Sequence, residues 1–312
     1  MAVDLDLLVL GDANPDLVLR GGDVVPAFGQ AEHLVDEATL TLGGSGAILA
    51  HGAAKLGLGV AIAAVIGDDL FGRFVREALL GAGVRTEGLV TDISTATGVT
   101  VVLSGDDDRA ILTAPGTIPG LRSELIDVEL LNSARHVHAS SYYLQNALAP
   151  ALAAIFDRAH DAGATTSIDP NWDPSERWDG GLTELLQKTD VFLPNAMEAT
   201  RLAHTSSLED AVRSLAARAG TVVVKNGDHG AVACTQGRLI VDRGVTIDAV
   251  DTTGAGDSFD AGFLAAWLGG EPIERAVAVA NACGALSTRT MGGTGAQPTM
   301  AEAIAALEAT PA

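Results

Sequence analysis

The stretch GVTIDAVDTTGAGDSFDAGFLAAW, from Gly244 to Trp267, begins with the alternation of a strand and ends with the apolar pattern of a helix. Between the two halves lies Gly254-Ala255-Gly256-Asp257. The first turn of a helix presents unpaired N–H groups and a partial positive charge, and glycine lets an anion approach that backbone closely. A carboxylate beside such an anion site can take a proton from a hydroxyl nucleophile. The stretch therefore predicts a catalytic helix start, the alternative being a tight turn with Thr252 or Thr253 as the helix cap.

The composition limits the classes of partner. The chain has 312 residues, is 47% hydrophobic and carries a formal net charge of −21. Such an acidic surface repels phosphate backbones and anionic lipids, so neither nucleic acid nor a membrane is an expected partner. The longest apolar runs, such as 147–156, are shorter than the roughly 18 residues that span a bilayer. Two cysteines without a metal-ligand or disulfide pattern, and an acidic N-terminus unlike a signal peptide, predict a cytoplasmic protein.

Strand-like and helical patterns alternate along most of the chain. Strands are predicted at 5–10, 60–65, 136–139, 165–169, 191–194 and 221–225, with a hairpin at 230–235 and 238–241. Helices are predicted at 47–56, 69–82, 150–162, 208–219, 255–268, 271–288 and 300–308. This alternation predicts one α/β domain over residues 1–312, with a mostly parallel central sheet and helices on both faces.

Two regions, approximately 12–42 and 90–116, interrupt this alternation. Both are strand-like with short turns and lack a helical pattern. In the second, strands at 97–103 and 109–114 flank SGDDD at 104–108, a composition typical of a hairpin turn. We expect the two regions to combine into a small β-sheet lid beside the central sheet.

Two common nucleotide-binding motifs are missing from the sequence. A P-loop requires G-x-x-x-x-G-K-S/T, which does not occur in the chain. A dinucleotide fingerprint requires G-x-G-x-x-G, and Gly57-Leu58-Gly59 is not followed by the third glycine. A nicotinamide-dependent enzyme is therefore the weaker interpretation.

The segment DTTGAGDSFDAG, from Asp251 to Gly262, resembles the C-terminal signature of the ribokinase-like (PfkB) carbohydrate kinases. Further resemblances follow in family order along almost the whole chain. They are GDANPD from Gly11, GGSGAILAHGAAKLG from Gly43, NAME from Asn195, KNGDHG from Lys225 and GAQPT from Gly295. The resemblance implies a ribokinase-like fold with a lid, ATP-dependent phosphorylation of a sugar or sugar-like hydroxyl, ATP and Mg²⁺ as cofactors, and a homodimer formed through the lid.

The catalytic residues implied by the resemblance lie in the opening stretch. Asp257 would deprotonate the attacking hydroxyl, and Gly254, Ala255 and Gly256 would aim backbone N–H groups at the transferring phosphoryl group. Preorganised donors of this kind are worth about 3–4 kcal/mol of barrier each.

Substrate-binding residues are implied at two strand ends. Asn14 and Asp16 would hold substrate hydroxyls, the alternative being an Asx turn around Pro15. Gly43 and Gly44 would let the backbone approach the substrate, or would form a turn before the helix, and both can be true together.

Nucleotide-binding residues are implied farther along the chain. They are Asn195, Glu198, Lys225, Gly227, Gly230 and Asn281. Asn195 and Glu198 would act near Mg²⁺ and its waters, since hard cations prefer oxygen ligands, or would simply start a helix after Pro194. Lys225 would contact phosphate and Asn281 adenine, the alternatives being a solvated lysine and an ordinary hydrogen bond between helices.

A candidate monovalent cation site, which potassium would occupy, is also implied. Its residues are Asp251, Thr253, Thr290, Gly293, Gly295 and Thr299. The alternative is that these groups only brace the loop before the helix.

The substrate is less well defined, because the chain departs from the ribokinase pattern. Ribokinases place a sugar-binding Asn at the position of Ile48, and a sugar hydroxyl left unpaired there would cost about 1–3 kcal/mol. This disfavours ribose and favours a nucleoside, a modified sugar or a sugar acid. Arg20 and Arg109 are isolated in the lid regions, which disfavours a sugar phosphate. The alternative functions are a nucleoside kinase of the same fold and a non-catalytic ligand sensor, although a sensor has little need of Asp257.

Overall fold

The computed structural model describes residues 5–22, 24–105, 109–178 and 180–309. The strands are β1 (Leu5–Leu10), β2 (Asn14–Arg20), β3 (Glu37–Gly43), β4 (Val60–Gly67), β5 (Leu89–Asp92), β6 (Val99–Ser104), β7 (Arg109–Ala114), β8 (Ala134–Ala139), β9 (Thr165–Ile168), β10 (Val191–Phe192), β11 (Thr221–Lys225), β12 (Ala231–Thr235) and β13 (Arg238–Asp242). The α-helices are α1 (Ser45–Lys55), α2 (Leu70–Gly81), α3 (Val128–Ser133), α4 (Leu152–Asp161), α5 (Leu182–Leu185), α6 (Ala196–Leu202), α7 (Leu208–Ala216), α8 (Ala255–Leu268), α9 (Ile273–Ser287) and α10 (Met300–Ala309).

The central sheet has nine strands in the order β13-β12-β11-β10-β9-β8-β1-β4-β5. Neighbouring strands from β11 to β5 pair in parallel, while β12 and β13 form an antiparallel edge. This confirms the predicted α/β fold with a mostly parallel sheet. The segments that follow β1, β8, β9 and β10 meet at one edge of the sheet, which is where α/β proteins bind ligands.

Two apolar cores lie on the two faces of this sheet, and β4 shows how one strand contributes to both. Its sequence VAIAAVIG is buried along its whole length, as expected for a strand covered on both faces. Ala61, Ala63 and Val65 pack into one core, and Ile62 and Ile66 pack into the other. None of the described helices is long and apolar enough to cross a membrane.

A second, separate sheet has the strand order β3-β2-β6-β7 and confirms the predicted small β-sheet. β2 pairs with β6 in parallel, and the outer pairs are antiparallel. Within the second predicted region, β5 instead pairs with β4 in the central sheet, so only β6 and β7 join the small sheet. The turn predicted at 104–108 falls partly on 106–108, which lie outside the described residues.

The strand predicted in the first half of the opening stretch is wrong. The central sheet ends with β13 at Asp242, and the described backbone at 243–253 forms no strand. Instead, the amides of Val250 and Asp251 donate to the carbonyl of Thr288, at 2.8 and 3.1 Å. The alternating apolar residues here, including Val245 and Ile247, line a cavity.

Candidate active site

A cavity of about 320 Å³ opens beside the first turn of α8. Its wall is apolar at Val245, Ile247 and Phe259. Six of the predicted site residues line it, namely Lys225, Gly227, Gly230, Ala255, Gly256 and Asn281. An apolar wall next to a helix N-terminus offers suitable surfaces for the base and the phosphates of a nucleotide.

The start of α8 has the geometry of an anion site. Gly254 precedes the helix in the left-handed region, at φ 71°, and no side chain caps it, so the cap by Thr252 or Thr253 is not present. The Ala255 amide donates to the Thr252 carbonyl at 3.3 Å. In the part of the chain that the structure describes, the amides of Gly256 and Asp257 have no protein acceptor. These two amides, rather than that of Ala255, can bind a phosphoryl group.

Ile48 packs beneath this loop. A Cβ added at Gly254 would lie 2.6 Å from the Cα of Gly293 and 3.1 Å from Cγ2 of Ile48, so only glycine fits there. The Ile48 side chain also lies against Gly293 and is only 3% exposed. Position 48 therefore braces the loop before α8 and presents no polar group to a substrate.

Asp257 lies in the first turn of α8 and is partly exposed. Burial and the charge of Asp169 raise the pKa of Asp257 from 3.8 to about 7, although a hydrogen bond from Ser45 lowers it. A base with a pKa near the working pH is well suited to accept a proton from a hydroxyl. Asp257 therefore combines access to the cleft with suitable basicity.

A chain of hydrogen bonds leads from Ser45, which lies beside Asp257, to the segment that follows β1. Ser45 Oγ accepts from Asn171 Nδ2 at 2.8 Å, and the same nitrogen lies 3.2 Å from Ser141 Oγ. Ser141 Oγ donates to Asp12 Oδ1 at 3.0 Å. The family motifs assign no role to Ser141 and Asp12, although both residues follow parallel strands at the ligand-binding edge.

The predicted substrate residues come together on the small sheet. Asn14 is the first residue of β2 and pairs with Gly43, so the backbone does not form an Asx turn. Asn14 Nδ2 donates to Asp16 Oδ1 at 3.2 Å. A Cβ added at Gly43 would lie 2.0 Å from Asp16 Oδ1, and one at Gly44 would lie 2.8 Å from Asn14 Oδ1. Both glycines therefore make room for the two polar side chains.

Asp16 is an unusually basic carboxyl group. Burial, followed by the charges of Asp12 and Asp251, raises the pKa of Asp16 to about 7. Asp16 is only 5% exposed. Hydrogen bonds from Thr100 and Asn14 partly offset this rise. A sugar hydroxyl that donates to this carboxylate would favour its ionised form.

Asn195 and Glu198 form the capping box of α6. The Asn195 amide donates to Glu198 Oε2 at 2.8 Å, and the Glu198 amide donates to Asn195 Oδ1 at 2.9 Å. Burial and the charge of Asp169 raise the pKa of Glu198 to about 7. The Lys225 amide donates to the carbonyl of Pro194. This bond holds the start of α6 beside the cavity that Lys225 lines. The capping alternative is thus present, and a role near Mg²⁺ stays a prediction.

The Lys225 side chain is only 12% exposed and pairs with two carboxyl groups, so the solvated-lysine alternative is wrong. Its Nζ lies 2.9 Å from Asp169 Oδ2 and 3.0 Å from Asp260 Oδ2. Burial alone would lower the pKa of Lys225, but its acidic neighbours, with Asp169 first among them, outweigh this effect and raise that pKa. Lys225 also lines the cavity beside Gly256, where its positive charge is close to the anion site.

Asn281 takes part in an ordinary hydrogen bond as well as lining the cavity. Its Nδ2 donates to Asp242 Oδ1 at 2.7 Å, and the Gly244 amide donates to the same oxygen at 2.8 Å. Asn281 therefore fixes the segment that follows β13. A contact with adenine stays a prediction.

The residues of the candidate cation site mainly brace the loop before α8. Asp251 Oδ1 accepts from the amide and hydroxyl of Thr253, and Asp251 Oδ2 accepts from the Gly292 amide at 2.8 Å. Thr290 lies close to Gly295, while Thr299 bonds to Glu302 at the start of α10. Among the described residues, no group of three or more acidic, histidine or cysteine side chains is arranged to hold a metal ion.

The prediction that Arg20 and Arg109 are isolated is wrong. Strand register places Arg20, Ser104 and Arg109 in one cross-strand row of the small sheet. Arg109 Nη1 donates to Thr252 Oγ1 at 3.1 Å and to Thr253 Oγ1 at 3.3 Å. The parallel pairing of β2 with β6 brings these distant parts of the sequence together, which local sequence patterns do not reveal.

Comparisons with known proteins agree with this geometry. A model of the pfkB family carbohydrate kinases matches residues 4–300. An ATP-dependent ribose-1-phosphate kinase of Halopiger xanaduensis is 36% identical over 303 residues, covering 96% of this chain and 97% of that protein. A ribokinase of Haemophilus influenzae is 28% identical over an alignment that covers 97% of this chain and 98% of that protein. The structure of Arabidopsis thaliana ribokinase complexed with ribose and ATP superposes with a TM-score of 0.85 at 25% identity. The superposition covers 98% of this chain and 99% of that chain.

Proposed function

Because this chain belongs to the pfkB family of carbohydrate kinases and is an ATP-dependent sugar kinase, we propose that its acceptor is a hydroxyl of a phosphorylated pentose. The relative from H. xanaduensis, which is named for ribose 1-phosphate, supports this choice through 36% identity over almost the whole chain. The position of Arg109 beside the loop before α8 also supports it, because an anionic substrate needs a nearby cation.

We assign the general base to Asp257. The observation that carries this assignment is a partly exposed carboxyl group at an uncapped helix start, with a pKa of about 7. The γ-phosphoryl group would lie against the amides of Gly256 and Asp257, which compensate charge as the phosphoryl group moves. Asn14 and Asp16 would hold sugar hydroxyls and orient the acceptor toward Asp257.

ATP would occupy the cavity beside α8, with Lys225, Gly227, Gly230 and Asn281 around it. Asn195 and Glu198 would hold Mg²⁺ through its waters. The residues fit such a role, because a carboxylate has about four lone-pair sites and, within the described residues, the Glu198 oxygens accept hydrogen bonds from Asn195 alone. Bound Mg²⁺ supplies positive charge to the phosphates.

A monovalent cation, with potassium as the candidate, would bind beside the loop before α8. Asp251 and Thr253 would contribute together with the backbone near Thr290, Gly293 and Gly295. Three donors already use the Asp251 carboxylate, which leaves about one lone-pair site and fits a single contact with a weakly held cation.

The outer face of the small sheet supports a homodimer. Leu40, Leu17, Val101 and Leu112 form one cross-strand row on the side opposite Asp16. Leu40 is 43% exposed and Leu112 is 59% exposed. Burial of such a row against a second copy would remove apolar surface from water.

Two buried free thiols are consistent with the cytoplasmic location that we propose.

The test is a substrate panel with Mg·ATP, containing ribose 1-phosphate, ribose, fructose and adenosine. We expect the highest kcat/KM for ribose 1-phosphate, with a bisphosphate product seen by ³¹P NMR. Asp257→Asn should lower kcat by at least about 100-fold with little change in ATP binding. Undiminished turnover in Asp257→Asn would refute the assigned base. A higher kcat/KM for an unphosphorylated acceptor would refute the substrate class, and ATP binding without any phosphorylation would favour the ligand sensor.

A further inference from the structure

Acidic side chains dominate the described part of the cleft. Asp12, Asp16 and Asp257 lie at or near the predicted substrate-binding end. Two cations line the cavity, Arg243 and Lys225, and Lys225 is already paired with Asp169 and a second carboxyl group. A substrate that carries its own phosphate would therefore meet mainly negative charge at this end, and its binding requires additional cations.

The inner face of the small sheet is defined by a row of polar side chains. Register pairs Asp16 with Thr100 and Thr100 with Thr113. The hydroxyls of Thr100 and Thr113 lie 3.2 Å apart, and Asn14 Nδ2 donates to Thr100 Oγ1 at 3.3 Å. These side chains therefore lie on one face, the face that carries the predicted sugar-binding residues.

The row of Arg20, Ser104 and Arg109 faces the same side. Each of its members lies four positions along its strand from a member of the polar row, and side chains return to the same face at every second residue. The two arginines are separated by two strand spacings, or about 10 Å between their Cα atoms. Two long side chains at this separation can reach one phosphate between them.

Arg109 extends from this row to the catalytic loop. Its Nη1 contacts the hydroxyls of Thr252 and Thr253, which immediately precede Gly254. Thr252 also lines the cavity beside α8. The arginine thus lies where the small sheet meets the site of phosphoryl transfer, and its planar group of N–H donors matches the oxygens of a phosphate.

We propose that Arg109 and Arg20 form a phosphate-binding subsite that holds the phosphate already present on the sugar substrate. This inference rests on the proposed sugar-phosphate acceptor and identifies the residues that select it. The same chemistry would also suit the γ-phosphoryl group of ATP, so the experiment must separate the two sources of phosphate.

The experiment compares the full-length chain with Arg109→Gln, Arg109→Lys and Arg20→Gln. The matched control is Arg213→Gln, which removes an exposed arginine that pairs with Glu209 on α7. Initial rates give kcat and KM for ribose 1-phosphate and for ribose at saturating Mg·ATP. Calorimetry without ATP measures the binding of ribose 1-phosphate directly.

Arg109→Gln should raise KM and weaken binding of ribose 1-phosphate by about 10- to 100-fold, because it removes a charged hydrogen bond. Arg20→Gln should cause a smaller loss, and Arg109→Lys should recover part of the affinity because it keeps the charge. All values for Arg213→Gln should stay within about twofold of the wild type, and the values for ribose should change much less in Arg109→Gln than the values for ribose 1-phosphate do.

Three results would overturn the proposal. Unchanged binding of ribose 1-phosphate in Arg109→Gln would show that the arginine does not hold that phosphate. Equal losses of kcat with ribose and ribose 1-phosphate would assign Arg109 to the transferring phosphoryl group instead. Equal losses in Arg213→Gln would show a general charge effect. If ribose 1-phosphate binds through Arg109 but is not phosphorylated, only the proposed acceptor fails, so the two failures are distinguishable.

Discussion

The raised pKa of Asp257 predicts a specific pH dependence for phosphoryl transfer. Burial and the charge of Asp169 bring this pKa to about 7, and the carboxyl group acts as a base only when ionised. Its ionised fraction falls from about 90% at pH 8 to about 10% at pH 6, so kcat/KM should fall about tenfold as pH is lowered across this range. If the pKa of Asp257 were ordinary, its carboxyl group would remain ionised across this range, and any loss would come from Asp16 or Glu198, whose pKa values are also raised to about 7.

Ser45→Ala tests whether this pH dependence comes from Asp257. Ser45 lies beside Asp257 and its hydroxyl favours the ionised carboxylate, so removal of that hydroxyl should raise the pKa of Asp257. A hydrogen bond to a charged group is worth about 1.5–3 kcal/mol, and each pKa unit corresponds to about 1.4 kcal/mol. The midpoint should therefore move from about 7 to about 8–9. At pH 7, kcat/KM should fall about 5- to 50-fold and should recover at higher pH.

The assay measures initial rates at low sugar concentration and constant saturating Mg·ATP, from about pH 5.5 to pH 9.5. Ser94→Ala is the control, because Ser94 is an exposed serine that bonds to Asp92 away from the catalytic carboxyl group. Ionisation of ATP would affect every variant at the same pH, whereas the ionisation of Asp257 should move only in Ser45→Ala. A midpoint that stays at the same pH in Ser45→Ala would refute the assignment of the titration to Asp257.

Further perturbations test other parts of the site. Gly43→Ala would place a Cβ 2.0 Å from Asp16 Oδ1, so the sugar KM should rise at least about tenfold while the ATP KM stays constant; a sugar KM within twofold of the wild type would contradict this. Lys225→Met leaves buried carboxyl groups without their cation and should lower the free energy of unfolding by about 3–5 kcal/mol in urea. Asp260→Asn should cost only about 1 kcal/mol in the same measurement, because burial raises the pKa of Asp260 well above its usual range and favours the protonated form; equal losses would exclude that protonation state. Replacing potassium with tetramethylammonium should lower kcat, and Asp251→Asn should abolish the response, whereas a rate independent of the cation would remove the candidate site.

Features encoded by neighbouring residues could be predicted closely from the sequence. The apolar run of β4 indicates a strand buried on both faces, and the structure confirms it. The predicted helix 255–268 matches α8 residue for residue. Glycines followed by an apolar helical pattern indicate both where this helix begins and how closely an anion can approach it.

Features that depend on distant pairing, or on what an exposed segment faces, could not be predicted in this way. Alternating apolar residues before Thr252 indicated a strand, but the same alternation is found in a segment whose apolar side chains line a cavity. The hydrogen bonds of this segment to the Thr288 carbonyl, rather than to a neighbouring strand, show that it is the second case. The contact of Ser45 with Asn171 likewise requires the ends of separate elements to meet. A pattern of neighbouring residues in the sequence cannot predict such a contact.

Position 48 shows why substrate preference is hard to infer from one departure in a motif. Ile48 suggested that a sugar contact had been lost, yet its side chain packs against Gly254 and Gly293 and supports the catalytic loop. The cations that would distinguish a phosphorylated sugar lie instead on the small sheet, on strands without catalytic residues. Because the base and the anion-binding amides come from the single segment at the start of α8, a change of residue on the small sheet can alter the acceptor while the groups that transfer the phosphoryl group stay the same. Substrate preference in this chain should therefore follow the row containing Arg109 more closely than it follows residue 48.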